Sequence, residues 1–203
     1  WKEEKRPVNG RPKDPPFSTG GMLVENDLFI KIFERNYTWD SMAVILDLTG
    51  SMSPFTAQLM MWLYDDIMFK SHRVKHIPFF HDGDGKDDKL KFLGKAGGVY
   101  HLDAANFSEL KNTVRKVMRA GRGGDLPENN VEASLAAIHS CPNCGSYILI
   151  SDNLASPRDL ALAEKLNKPL KIIICEATGG VNPAYLDLAY KTKGSIHTAD
   201  DDI

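Results

Sequence analysis

Short apolar runs alternate with stretches of helical spacing along most of this chain. The run MAVILDL at 42–48 is continuous enough for a parallel strand buried on both faces. Behind it, Phe55, Leu59, Met60, Leu63, Ile67 and Met68 recur at helical intervals over 53–69, with Pro54 at a tolerated first-turn position. Further apolar runs at 76–80, 99–102, 147–151, 170–175 and 195–198 predict five more strands. The periodicity predicts helices over 107–118, 128–139, 157–166 and 183–190, with Pro127 close to the start of the second of these. Strands alternating with helices of this length predict an α/β fold: a Rossmann-like, doubly wound and mostly parallel sheet flanked by helices. Upstream, residues 22–39 hold Leu28, Ile30, Ile32 and Phe33 in a pattern that suits either an amphipathic strand or a short helix. Residues 1–21 are rich in Pro, Gly and charge, which reads as an extended arm. The expected organisation is an arm and flanking element over 1–40 and one domain over 41–203. No internal repeat is visible.

Composition narrows the function classes. With 203 residues, 42% of them hydrophobic and 26% charged, the chain can bury a core, and disorder throughout is not expected. The 25 basic and 27 acidic side chains leave a net charge of −2, so no global electrostatic attraction to nucleic acid is expected. No run of about 18 apolar residues predicts a membrane-spanning helix. Three cysteines are too few for a disulfide framework. The chain begins at Trp1 without an initiator Met or a signal-peptide pattern. Together with the arm, that start suggests a trimmed, exported or cell-envelope protein of bacterial type, with a cytoplasmic location left open.

In an open α/β sheet, ligands bind outside the carboxyl ends of the strands. The first strand runs into DLTGS at 47–51, where Asp47, Thr49 and Ser51 set one carboxylate and two hydroxyls at alternate positions of a turn. Such oxygens can converge on a hard cation, and Mg²⁺ takes ligands of this kind while keeping several waters. The helix that follows favours an anion at its start, so carboxylates must supply the attraction for a metal. The strand at 147–151 ends in Ser151-Asp152-Asn153, again with a carboxylate. Between the two lies a Gly-rich loop, GRGGDLPEN at 121–129, with Asp125 at its tip and a helix behind it.

The DLTGS segment resembles the DxSxS motif of von Willebrand factor type A domains, with Thr49 in place of the first Ser. Asp152 matches the family's later strand-end Asp. Gly123 and Gly124 match its Gly-Gly loop, and Asp125 stands where that loop usually carries Thr. The resemblance spans residues 40–203. It implies a metal-ion-dependent adhesion site (MIDAS) formed by Asp47, Thr49, Ser51, Asp125 and Asp152. It also implies Mg²⁺ before Ca²⁺ or Mn²⁺ as the ion, with Asp125 ligating directly, acting through a water or turned away. The expected partner is a protein that supplies an Asp or Glu carboxylate to the cation, because neutral hydroxyls leave the ion electrophilic. That makes the chain a binding module, with no catalytic residue and no organic cofactor.

Three competing readings stand beside this one. Asp47 can simply cap the helix behind it, with Thr49 and Ser51 as ordinary turn hydroxyls. A Mg²⁺-dependent phosphoryl-transfer hydrolase would use Asp47 as its nucleophile, but its usual DxDx[TV] signature has Thr49 at the second acid. An assembly subunit would keep a vestigial metal site. Elsewhere, HDGDGKDD at 81–88 lacks the ligand spacing of a calcium-binding EF-hand and reads as a turn. Cys141 and Cys144 form a CxxC at a helix end, expected as free thiols or a local disulfide, and Cys175 as a buried apolar residue. The basic residues at 111, 115, 116, 119 and 122 read as a solvated helix face. The methionines at 52, 60, 61 and 68 read mostly as core. No Ser–His–Asp arrangement and no phosphate-binding loop is apparent.

Overall fold

The computed structural model describes residues 27–69, 72–104, 106–120 and 127–203. Six strands form one sheet: β1 (Met42–Asp47), β2 (Val74–Phe80), β3 (Val99–Asp103), β4 (Ser146–Ser151), β5 (Leu170–Ile174) and β6 (Ser195–His197). Their order across the sheet is β3-β2-β1-β4-β5-β6. All neighbouring pairs are parallel except β2 with β3, which is antiparallel. The exception has a local cause: only turns, and no crossover helix, connect β2 to β3, and a parallel return is ordinarily made by a helical crossover. The fold is α/β, a Rossmann-like doubly wound sheet with helices on both faces.

The helices are α1 (Leu28–Arg35), α2 (Ser53–Met68), α3 (Phe107–Ala120), α4 (Asn130–Ser140) and α5 (Pro183–Thr192). β1 is buried along its full length because it lies in the middle of the sheet. Its side chains alternate between faces, as the two-residue period of a strand requires. Met42, Val44 and Leu46 join a core with α1, α2 and α3. Ala43 and Ile45 join a second core with α4 and α5. The ambiguous upstream element is the helix α1, and it is part of the first core. Its Leu28, Phe29, Ile32 and Phe33 are buried, and Phe33 stacks on Trp62 of α2 with ring centroids 3.6 Å apart.

Two expectations need correction. The segment expected as a helix over 157–166 is a loop with a tight 3-10 stretch, Leu160–Lys165. The carboxylate of Asp159 accepts the backbone N–H groups of Val131 and Glu132 at the start of α4, and the Arg158 N–H bonds to the Glu128 carbonyl. These ties to another element hold the segment in i→i+3 turns. The methionines divide evenly: Met52 and Met60 are buried, whereas Met61 and Met68 are exposed. The CxxC is a disulfide, Cys141–Cys144, in the turn that ends α4, and Cys175 is buried. The acidic loop after β2 forms two short 3-10 turns, in which Asp84 accepts from the Gly98 N–H and the Tyr100 hydroxyl. Among the described residues, no helix is long and apolar enough to cross a membrane.

Candidate metal centre at the strand ends

The sheet order reverses direction at β1. The chain builds outward from β1 through β2 to β3, then crosses to the other side of β1 to place β4. The crevice beyond the ends of β1 and β4 is therefore the topological switch point, where α/β sheets bind ligands. Asp47 ends β1, and Ser151-Asp152 ends β4. The β1–β4 register pairs Leu46 with Ile150, which brings Asp47 beside Ser151 on the α4–α5 face.

Asp47 is fully buried and both its oxygens are engaged. Its Oδ1 accepts the Thr49 N–H at 2.8 Å and the Thr49 hydroxyl at 2.6 Å. Thr49 uses its only side-chain proton on Asp47, so Ser51 supplies the proton between the two hydroxyls, 3.1 Å apart. Both hydroxyl oxygens keep a lone pair for another ligand. On the other side, Asp47 Oδ2 accepts the Ser151 hydroxyl at 3.0 Å. Ser151 in turn receives the Tyr185 hydroxyl at 2.9 Å and the Asn130 amide at 3.2 Å.

Every one of these donors is neutral. Among the described residues, neither Asp47 nor Asp152 forms an ion pair. Burial pushes the Asp47 carboxyl up to about 6; the bonds from Thr49 and Ser151 oppose the rise and the charge of Asp152 adds to it. One Asp152 oxygen accepts the Leu154 N–H at 2.8 Å, while its buried Oδ2 has no partner among the described residues. Beside them, at the start of α4, Glu128 is 7% exposed, and its Oε2 is likewise unpartnered among the described residues. Burial, reinforced by the charges of Asp47, Asp82 and Asp152, pushes Glu128 up to about 9. The side-chain amide of the buried Asn129 has no described partner at either end.

The structure thus brings Asp47, Thr49 and Ser51 into one hydrogen-bonded string and sets Asp152 at the end of the neighbouring strand. Asp125 lies outside the described residues. Among the described residues, no group of three or more His, Cys, Asp or Glu side chains is placed to hold a metal ion. The donors here are of a different kind: two carboxylates and two hydroxyls. An all-oxygen set that includes the buried Asp152 Oδ2, unpartnered among the described residues, suits a hard cation such as Mg²⁺, Mn²⁺ or Ca²⁺. Sequence reading missed Ser151 as a partner of Asp47, along with Tyr185, Asn130 and Glu128. For Ser151 a signal was present, since it ends the strand adjacent to that of Asp47. No family model, curated protein or solved structure matches the chain.

Proposed function

We propose that Asp47, Thr49, Ser51 and Asp152, with Asp125 from the Gly-rich loop, hold a divalent cation, Mg²⁺ before Ca²⁺ or Mn²⁺. We further propose that the loaded site is a protein-binding module of the von Willebrand factor A type. The ion would draw in an Asp or Glu carboxylate from the partner. One observation carries this reading. Two carboxylates end the two central strands at the switch point, buried, with only neutral donors bonded to them among the described residues. A buried charge that the protein leaves unmatched is costly, and a bound cation removes that cost. The hydroxyls of Thr49 and Ser51 offer neutral oxygens that leave the ion's charge available to an incoming carboxylate. Thr49 weighs against the hydrolase alternative, because it stands where that chemistry's DxDx[TV] signature carries its second carboxylate.

The test is thermal melting with and without Mg²⁺, Mn²⁺ or Ca²⁺, comparing the wild type with Asp47→Asn. A ligand at 100 times its Kd stabilises by about 2.7 kcal/mol. For a chain of this size that is a rise in Tm of roughly 5–10 °C. The expected result is such a rise in the wild type and none in Asp47→Asn. An equal rise in both would remove Asp47 from the site, and no rise with any of the three ions would end the metal reading. Partner capture that a chelator abolishes would then test the binding role.

A further inference from the structure

A second constellation lies at the β6 edge of the sheet, two strands away from β4 and its strand-end carboxylate. Ser195 and His197 sit two residues apart on β6, so both side chains project from one face, that of α1 and α2. After His197 the chain turns and runs back along the outer edge of β6. Ile196 and Ile203 exchange two backbone hydrogen bonds of 2.8 Å, and Thr198 N–H donates to Asp201 O at 2.9 Å. That return pairs Asp202 with His197 across the bridge. The entry to β6 is equally constrained: a Cβ on Gly194 would meet the Leu170 carbonyl oxygen at 1.8 Å, so only glycine lets β6 approach β5 this closely.

The side chains form a relay. Asp202 Oδ1 lies 2.8 Å from His197 Nδ1, and Ser195 Oγ lies 2.7 Å from His197 Nε2. A carboxylate only accepts, so Nδ1 carries the ring proton and Nε2 is bare. The Ser195 hydroxyl is then the donor to Nε2. Trp39 meets the imidazole edge-on with centroids 4.6 Å apart and fixes the ring plane. His197 is 4% exposed, while Ser195 is half-buried. On the neighbouring strand Lys171 pairs with Ser195 in register, which places its side chain on the same face. Its ammonium lies 5.8 Å from the centre of the Trp39 ring.

Part of this network has a structural use. Asp202 also accepts from Arg35 Nη2 at 2.6 Å and Asn36 Nδ2 at 3.1 Å, which ties the C-terminal return to α1. Arg35 adds bonds to the carbonyls of Thr198, Ala199 and Asp201, and none of this clamp requires a hydroxyl at Ser195. The Ser195–His197 contact is left unexplained by it, and it has the order of nucleophile, base and orienting acid that activates a serine.

We propose that Ser195, His197 and Asp202 form a hydrolytic triad acting on small acyl esters, with Lys171 as the cation facing the developing oxyanion. Ser195 Oγ attacks the ester carbonyl carbon while its proton passes to His197 Nε2, and the carbonyl electron pair moves onto oxygen. Collapse of that intermediate breaks the bond to the leaving alkoxide, which takes the proton back from Nε2. Water then repeats the sequence on the acyl-serine and releases the carboxylic acid, so ester and water give acid and alcohol. Asp202 acts through His197 and is a positioning residue. Ser195 itself is half-buried, so a compact acyl group reaches its Oγ with less obstruction than a bulky one.

A fluorophosphonate probe tests this directly, because an activated serine displaces fluoride from its phosphorus. The expected result is one label per chain, mapped to Ser195 by mass spectrometry and absent in Ser195→Ala. A base of this kind contributes about 10²–10⁴-fold, so His197→Gln should label at least 100-fold more slowly. Tyr190→Ala, an exposed residue of α5 outside the triad, should label within about twofold of the wild type. The charged groups facing His197 are Asp202, Arg35 and Lys171. Asp202→Asn should move the midpoint of the labelling rate to lower pH, a change that a purely structural role does not produce. Chelator should leave labelling unchanged, which separates this site from the strand-end one. Absence of label on folded wild-type protein, or equal labelling of Ser195→Ala, would overturn the proposal.

Discussion

Asp82 and Asp47 follow neighbouring strands at the same end of one sheet, and both are buried, at 4% and 0% exposure. Their surroundings differ in kind. Asp82 follows β2 and has Lys91 Nζ 2.6 Å from Oδ2 and Arg158 Nη2 3.1 Å from Oδ1. Lys91 reaches Asp88 as well, at 2.9 Å. Among the described residues, Asp47 is met only by hydroxyls and a backbone N–H. The described fold therefore supplies cations to one strand-end carboxylate and withholds them from the next. A protein keeps a buried charge without a counter-charge only at a cost in stability. The difference locates where an external cation has a reason to bind: beyond β1 and β4, and not beyond β2.

The largest expected effect comes from removing the internal counter-charge. Lys91→Met leaves Asp82 buried with one cation fewer, and breaking a buried pair in this way costs about 3–5 kcal/mol. Urea unfolding measures it. A loss under about 0.5 kcal/mol, typical of surface substitutions, would show that Asp82 does not depend on Lys91 and would erase the contrast. The next effect has the opposite sign. In chelator, Asp47→Asn replaces an unmatched buried charge by a neutral group of the same shape and should stabilise the protein by about 1–2 kcal/mol. Ser151 already accepts from Tyr185 and Asn130, so the new amide leaves a donor unpaired, and that cost offsets part of the larger relief of the buried charge. Saturating Mg²⁺ should reverse the order, making the wild type the more stable of the two. Destabilisation by Asp47→Asn in chelator would mean that Asp47 is a structural hydrogen-bond hub.

Much of this end of the molecule was legible because it depends on local pattern. Continuous apolar runs mark the buried strands, and the residues directly after them, Asp47, Thr49, Ser51 and Asp152, are placed by the strand ends alone. What depends on distant pairing was not legible. Ser151 bonds Asp47 across 104 residues, and Arg158 reaches Asp82 across 76. Nothing in the spacing of Lys91 or Arg158 distinguishes them from solvated surface cations. The 157–166 segment has helical spacing, yet Asp159 caps α4 instead of continuing a helix, a choice made by tertiary contacts. The Ser195–His197–Asp202 relay escaped for the same reason: its acid arrives by a chain reversal that no single periodicity records. Residues 121–126, with Asp125, lie outside the described structure, so that part of the expected ligand set rests on the motif.

The smallest expected effect extends the comparison to a third carboxylate and sets its sign by pH. Burial pushes the Asp202 carboxyl up, but the hydrogen bonds from Arg35, His197 and Asn36 outweigh it and hold the group at about 2. A carboxylate lower in the folded than in the unfolded chain stabilises the fold above its unfolded value. That contribution is lost as pH falls from about 4 to about 2. A drop from the usual carboxylate value to about 2 corresponds to roughly 2.5 kcal/mol, but the side chain is 32% exposed, and solvent screening reduces the expectation to about 1 kcal/mol. Asp202→Asn should therefore cost about 1 kcal/mol at pH 7 in urea unfolding, and the gap from the wild type should close towards pH 2. For Asp47, raised by burial among neutral donors, acid acts in the other direction, since its protonation is easier in the folded chain. A gap for Asp202→Asn that stayed constant from pH 7 to pH 2 would assign the loss to packing of the C-terminal return against α1, and not to the charge that the fold compensates there.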